Sequence, residues 1–251
     1  MTRCIPVAIL GCLALPGFSL ADIVFTDATF LTGNYPTAFS FTHNDSTPGQ
    51  IGTISDGAGP AQCACGDPGT ALQTIFTISA AGNTNVQMDI GVINAGFVYD
   101  PGVQGTLLSV SGSVDESDNN SNPGFPPLDE FQIFIQQSGN FFYDNGSFIS
   151  GSSGFNLLTS TNLNASAFDR IKPDGTTDFA SHPDFNGAAM EFGLLILGGV
   201  LDAPANTETM VYDNLTLDLT PVPEPGSLLP VSAALAAIAL LARTRRGAQD
   251  S

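Results

Sequence analysis

The chain has 251 residues, of which 12% are charged, and carries a formal net charge of -18 with 27 Gly and 17 Pro. That length suits one generous domain or two small ones, and the Gly and Pro content excludes a body built of long helices. Six Lys and Arg against 24 Asp and Glu exclude the basic surface that nucleic-acid binding needs.

The first element is a leader. "MTRCIPVAILGCLALPGFSLAD" places Arg3 before an apolar stretch from Ile5 to Leu20 and ends on Ser19-Leu20-Ala21, a small-x-small site. Residues 1–21 therefore read as a secretory signal peptide cut after Ala21, which makes signal peptidase and the secretion machinery the first partners. Between residues 22 and 225 only Arg170 and Lys172 face 23 acids, a formal charge of -21. Such a body is soluble, attracts divalent cations, and is repelled by anionic membranes.

The body, 22–219, reads as strands. "TLLSVSGSVD" (106–115) alternates Leu108, Val110 and Val114 with Ser109, Ser111 and Ser113. "EFQIFIQQSG" (130–139) sets Phe131, Ile133 and Ile135 against Gln132, Phe134 and Gln136. "TMVYDNLTLDL" (209–219) repeats the pattern with Val211, Leu215, Leu217 and Leu219. Further candidates lie at 23–30, 37–42, 71–78, 86–99 and 188–201. Period two between turn-forming clusters predicts an all-β fold, a single antiparallel β-sandwich of roughly eight to twelve strands.

Several clusters in the body carry chemistry. Cys63 and Cys65 in "QCACGDPG" meet an oxidising compartment, which favours a local disulfide over free thiols; a zinc set with His43 and His182 lacks paired-ligand spacing. "DESDNNSN" (115–122) crowds hard oxygen donors without the EF-hand spacing. It reads as a solvated turn, with calcium at Asp115, Asp118 and Asn120 as the alternative. "KPDGTTDF" offers Asp174 and Asp178 in the same way. Phe141, Phe142 and Tyr143 in "GNFFYDNG" are the best candidates for stacking on sugar rings, and a core hairpin explains them equally. Catalysis finds little support: there is no G-x-S-x-G elbow, His182 reads as bracing the turn before Pro183, and Asp129, Glu130 and Glu191 stand singly. The expectation is a protein that is not an enzyme.

The last element is the tail. Thr220 to Ser227 reads as a linker holding Val222, Pro223, Glu224 and Pro225. Residues 228–242 are 15 consecutive apolar or small residues or Pro, about 22 Å of helix at 1.5 Å per residue. The hydrocarbon core is about 30 Å thick, so this transmembrane helix spans only with help from its flanks. Arg243, Arg245 and Arg246 open a basic tail, 243–251, expected on the cytoplasmic side.

The order Val222-Pro223-Glu224-Pro225, apolar helix, arginine cluster resembles the PEP-CTERM protein-sorting signal over about the last 30 residues. The resemblance implies a Gram-negative envelope, a transient inner-membrane anchor, and an exosortase that processes the tail before the protein reaches the cell surface or extracellular matrix. Glu224 would then be recognised as substrate. "YDPGVQGTLLSVSGSVD", "HPDF" with "MEFGLLI", and "VYDNLTLDL" also resemble sandwich bodies of other PEP-CTERM proteins, of jelly-roll or concanavalin-like lectin type. Many carbohydrate-binding jelly rolls hold structural calcium with an Asp on the last strand; Asp213 matches that position, with Asp27 of the first strand expected nearby, but Asp213-Asn214 reads first as a simple bulge in that strand. The expectation is a structural or adhesive surface protein in contact with exopolysaccharide, as in a biofilm matrix. The alternatives are a calcium-dependent carbohydrate-binding module and, less favoured, a glycan-active enzyme.

Overall fold

The alternation continues past the point where the sequence suggested a turn. Along β6 (Leu107–Asn120) Val110, Gly112, Val114, Glu116 and Asp118 are all buried at every second position, while Ser109, Ser111, Ser113 and Asp115 are partly open. "DESDNN" is therefore strand. Gly112 is required because a Cβ there would stand 2.8 Å from Leu217 Cδ2 and 3.0 Å from Phe131 Cζ. Here a side chain of the neighbouring strand and one of the opposite layer fill the space.

The chain, a computed structural model, is described over residues 21–31, 33–44, 52–80, 86–121, 128–150, 154–200 and 206–223. The leader helix, the apolar helix expected at 228–242 and the basic tail lie outside these residues. Among the described residues no helix is long and apolar enough to cross a membrane. Ala21–Val222 form one compact unit.

Two antiparallel sheets make a sandwich. The first runs β10 (Asn156–Leu163), β6, β14 (Asn206–Pro221), β4 (Gly69–Ala80), β3 (Gly52–Gly66), with β1 (Ile23–Asp27) also on β14. The second runs β12 (Thr177–Asp178), β11 (Phe168–Ile171), β8 (Asn140–Asp144), β7 (Leu128–Gln137), β13 (Met190–Val200), β5 (Val86–Tyr99), β2 (Thr37–Asn44), with β9 (Ser147–Ser150) on β7. Phe76, Val114, Phe131, Ile133, Phe192 and Leu217 anchor the core between them. Among the described residues the sheets hold six and eight strands, more than expected; β3 and β8 to β12 had no separate strand signal.

Two expected faces are corrected. Leu108 is 52% exposed and Leu107 is buried, because the register with β14 shifts between Thr220 and Pro221. In β14, Asn214 has φ 53° and the register shifts between Asp213 and Thr216. That bulge flips the alternation, so Met210 and Tyr212, rather than Val211, share the inward face with Leu215, Leu217 and Leu219. The final strand also runs to Pro221, past the expected start of the linker at Thr220.

The second sheet curls. Phe39 on β2 and Phe141 on β8 have ring centroids 5.5 Å apart, although four strand spacings, about 19 Å in a flat sheet, separate them in the sheet order. Phe39, Ile93, Phe134, Ile171 and Leu195 form a second buried cluster on this concave face. The β11–β12 turn closes over it: a Cβ on Gly175 would stand 2.0 Å from Phe41 Cδ1. Inside the curl the Phe134 ring lies on Gly91, where a Cβ would come within 2.3 Å of it. Gly91→Ala should cost about 1–3 kcal/mol, as overpacking does in a filled core. Urea unfolding measures it; a loss under about 0.5 kcal/mol would mean that the ring is not held there.

Candidate functional site

The residues singled out from the sequence are largely occupied by local structure. Cys63 and Cys65 are joined in a disulfide within β3. Asp27 Oδ1 accepts from the Thr29 and Phe30 amides, both at 2.8 Å, and Tyr35 donates to its Oδ2 at 3.2 Å. Asp213 Oδ2 accepts from the Asp67 amide and its Oδ1 from the Asn214 amide, each at 2.8 Å, which ties the β3–β4 turn to the bulge in β14. The two aspartates thus each brace their own turn. Asp174 and Asp178 accept from the amides of Thr176 and Ala180 in exposed turns. His182 Nδ1 pairs with the Phe168 carbonyl at 2.8 Å, bracing its turn as expected.

Alternation along β6 separates the other calcium set. Asp115 faces outward, where its Oδ2 accepts from Asn214 Nδ2 at 2.9 Å, whereas Asp118 faces the opposite sheet. Asn120 shares the inward side and accepts from Asn206 Nδ2. Phe142 is buried in the inter-sheet core, and Phe141 and Tyr143 pack against the concave cluster, so none of the three is an open stacking platform. Of the sorting motif, Val222 and Pro223 fall among the described residues; Glu224, Pro225, Arg243, Arg245 and Arg246 lie outside them.

What the structure does assemble is a belt of buried acids at one end of the sandwich. Its centre is the start of β7. This strand pairs with β13 only from Gln132 onward, so its earlier amides need other acceptors. The Leu128 amide donates to Asp118 Oδ2 at 3.0 Å, and the Glu130 amide donates to Glu116 Oε2. On the other edge β7 passes from β9, paired through Phe131, to β8, paired from Phe134. In that gap the Ile133 amide donates to Asp144 Oδ1 at 2.6 Å, while Ser160 donates to Asp144 Oδ2 at 3.0 Å. Asp129 Oδ1 in turn accepts from the Asp118 amide at 2.8 Å. Glu208 on β14 takes the Gly199 amide at 2.9 Å. Carboxylates here replace missing strand partners.

A second group lies on the concave face of the second sheet. His43 Nε2 and Asp89 Oδ2 are 2.8 Å apart, and Gln87 Nε2 donates to Asp89 Oδ1 at 2.7 Å. Gln132 Nε2 donates to Glu130 Oε1 at 2.8 Å. The strand registers place Asp89 beside Leu197 on β13, with Glu130 on the far side of that strand. Asp129 and Glu130 therefore point to opposite faces of β7 and join the two groups into one belt.

The belt has little positive charge to offset it. Among the described residues the two ion pairs are His43–Asp89 and His182–Asp169, and neither reaches Glu116, Asp118 or Glu208. Burial pushes the Glu116 carboxyl well above its ordinary range, with Asp129 adding to the effect. Burial likewise raises Asp118 to about 6, partly offset by the Leu128 amide. Glu130 rises to about 7 through burial, then Asp89 and Asp144, and Glu208 to about 8 through burial, then Asp118. Tyr212, fully enclosed by the same groups, is raised by burial and then by Glu116. Among the described residues no three His, Cys, Asp or Glu side chains are gathered closely enough to form a ready metal centre.

The sequence matches no protein-family model, and no curated protein matches it.

Each raised carboxyl binds a proton more tightly in the folded state than in the unfolded one. The stabilisation that this supplies is complete below the ordinary carboxylate range, about pH 4, and is lost as pH rises through the folded values. With chelator present, the urea midpoint should therefore fall steadily between about pH 5 and pH 8.5, and Glu208→Gln should flatten the upper part of that fall. A midpoint that rises over the same interval would contradict the burial of these acids.

Proposed function

We propose that this chain is an exported surface protein, delivered by its leader, processed at its tail by an exosortase, and resident in the outer envelope or extracellular matrix as a structural or adhesive β-sandwich. The observation that carries this reading is the order of the tail: Pro223-Glu224-Pro225, an apolar segment, then Arg243, Arg245 and Arg246. The position of the tail supports it. The last strand ends at Pro221 and the compact unit at Val222, so removal of the sorting segment takes no strand from the sandwich. The charge supports it too, since a body with two bases suits an extracellular milieu better than a nucleic-acid or anionic-membrane partner.

Within that reading, the architecture is of jelly-roll or lectin-like type, with polysaccharide as the contact. The concave face of the second sheet is filled by its own aromatic cluster, which leaves the polar end of that face for such a contact. The runner-up, a calcium-dependent carbohydrate-binding module, draws on the polar groups His43, Asp89, Glu130 and Gln132 at one end of that face. The packing of Phe141 and Tyr143 into the concave cluster weighs against ring stacking as its mode of contact.

Mass spectrometry of the protein exported by its native host should find the chain starting at Asp22 and lacking everything beyond Arg243. An intact arginine tail on the exported form would overturn the processing step. A glycan screen with and without chelator separates the two readings of the body: saturable binding that disappears with chelator selects the module, and its absence selects the structural role.

A further inference from the structure

We propose that the inward carboxylates of Glu116, Asp118 and Glu208 bind one hard divalent cation, of calcium type, between the two sheets. The inference stands apart from the sorting tail and from any glycan contact. It starts from two oxygens. Glu116 is fully buried and Asp118 is 1% exposed, and each spends one carboxylate oxygen on a β7 amide. Their other oxygens, Glu116 Oε1 and Asp118 Oδ1, are buried with no hydrogen-bond partner. A carboxylate oxygen can only accept, so a buried one that nothing donates to lacks a proton or a cation.

A second observation lies two strands across on the same face. Thr74 is fully buried opposite Met210, which is itself opposite Asp118, and its Oγ1 has no partner either. The hydroxyl of Tyr212, across from Glu116, has only a 4.0 Å contact with the Met210 sulfur. Two acceptor oxygens and two hydroxyls on adjacent strands of the first sheet are thus left over around a single stretch of the interior.

Strand geometry allows the acids to share an ion. Glu116 and Asp118 lie two residues apart on one face, about 7 Å along the strand. Glu208 pairs with Asn120 and is diagonal to Asp118, a separation of about 7–8 Å between strands. Calcium holds oxygens at about 2.3–2.6 Å on all sides, so ligands across the ion stand about 5 Å apart, and side-chain rotation closes the difference. As they stand the three carboxylates are not gathered closely enough to hold a metal, so binding requires the ion to draw them together. Water completes the shell.

The test uses the full chain in mild detergent, stripped with chelator and titrated with calcium chloride at pH 7.5. Calorimetry should find one calcium per chain, and saturation should raise the melting temperature by roughly 5–10 °C. Glu116→Gln with Asp118→Asn keeps acceptors for the two amides but removes the charges. This double variant should melt higher than the parent in chelator and gain nothing from calcium. Asp115→Asn, on the outward face of the same strand, should bind as the parent does. No stoichiometric binding by the parent, or a calcium response that survives in the double variant, overturns the proposal. So does a response lost in Asp115→Asn, which would place the ion outside the sandwich.

Discussion

Everything at the polar end of the sandwich follows from how β7 is shared. The strand gives one edge first to β9 and then to β8, and it gains β13 on the other edge only from Gln132 onward. Each break leaves amides that must be satisfied, since an unpaired buried N–H costs about 1–3 kcal/mol. Asp144 fills the first break, and Glu116 and Asp118 fill the second. Because those two acids belong to β6, in the opposite sheet, the same bonds that complete β7 also fasten the layers together.

The apolar end is held by different means. There the second sheet is covered on both faces, with Phe192 and Leu194 turned to the first sheet and Leu195 turned into the curl. A continuous run such as "FGLLIL" is what a strand buried on both sides requires. Close approach sets the details. Gly193 faces Phe134 across the ladder, and Gly91 receives its ring, so the curl depends on positions where the chain has no side chain. A sheet that wraps its own aromatic residues needs no further layer on that face.

Much of this was readable from alternation, and the failures are specific. The boundaries of β5 follow directly from its hydrophobic pattern, as does the inward set Phe131, Ile133 and Ile135. The continuation of β6 through Glu116 and Asp118 keeps perfect period two, yet it was hidden because acids are expected at the surface. The bulge at Asn214 was readable from the Asp-Asn pair, but the one-residue shift of parity it imposes was not carried into the inward set, which is why Val211 was misplaced. The strands β8, β9, β11 and β12 are too short to show a period, and β10 breaks its own with a register shift between Ser160 and Leu163. The fate of Phe141 and Tyr143 depended on the curl, a contact between strands four places apart, which no local pattern encodes. The proposed sorting tail rests on local information alone, composition, order and length, and from Glu224 onward it lies outside the described residues.

Capping an amide requires an acceptor, not a charge. Elsewhere in this fold the task is done by an amide side chain: Gln137 takes the Asp184 amide at 2.8 Å and donates to the carbonyls of Asp184 and Ala188. Glutamine or asparagine at Glu116 and Asp118 would satisfy β7 equally and spare the desolvation of an anion. The sandwich instead keeps carboxylates at adjoining inward positions and sets Glu208 beside them, and among the described residues none of the three has an ion pair. Hydrogen bonding explains why acceptors stand there. It does not explain why they are acids. A ligand that needs negative charge does, and on the proposed extracellular side weak binding is enough, since extracellular modules work with calcium affinities of about 0.1–1 mM.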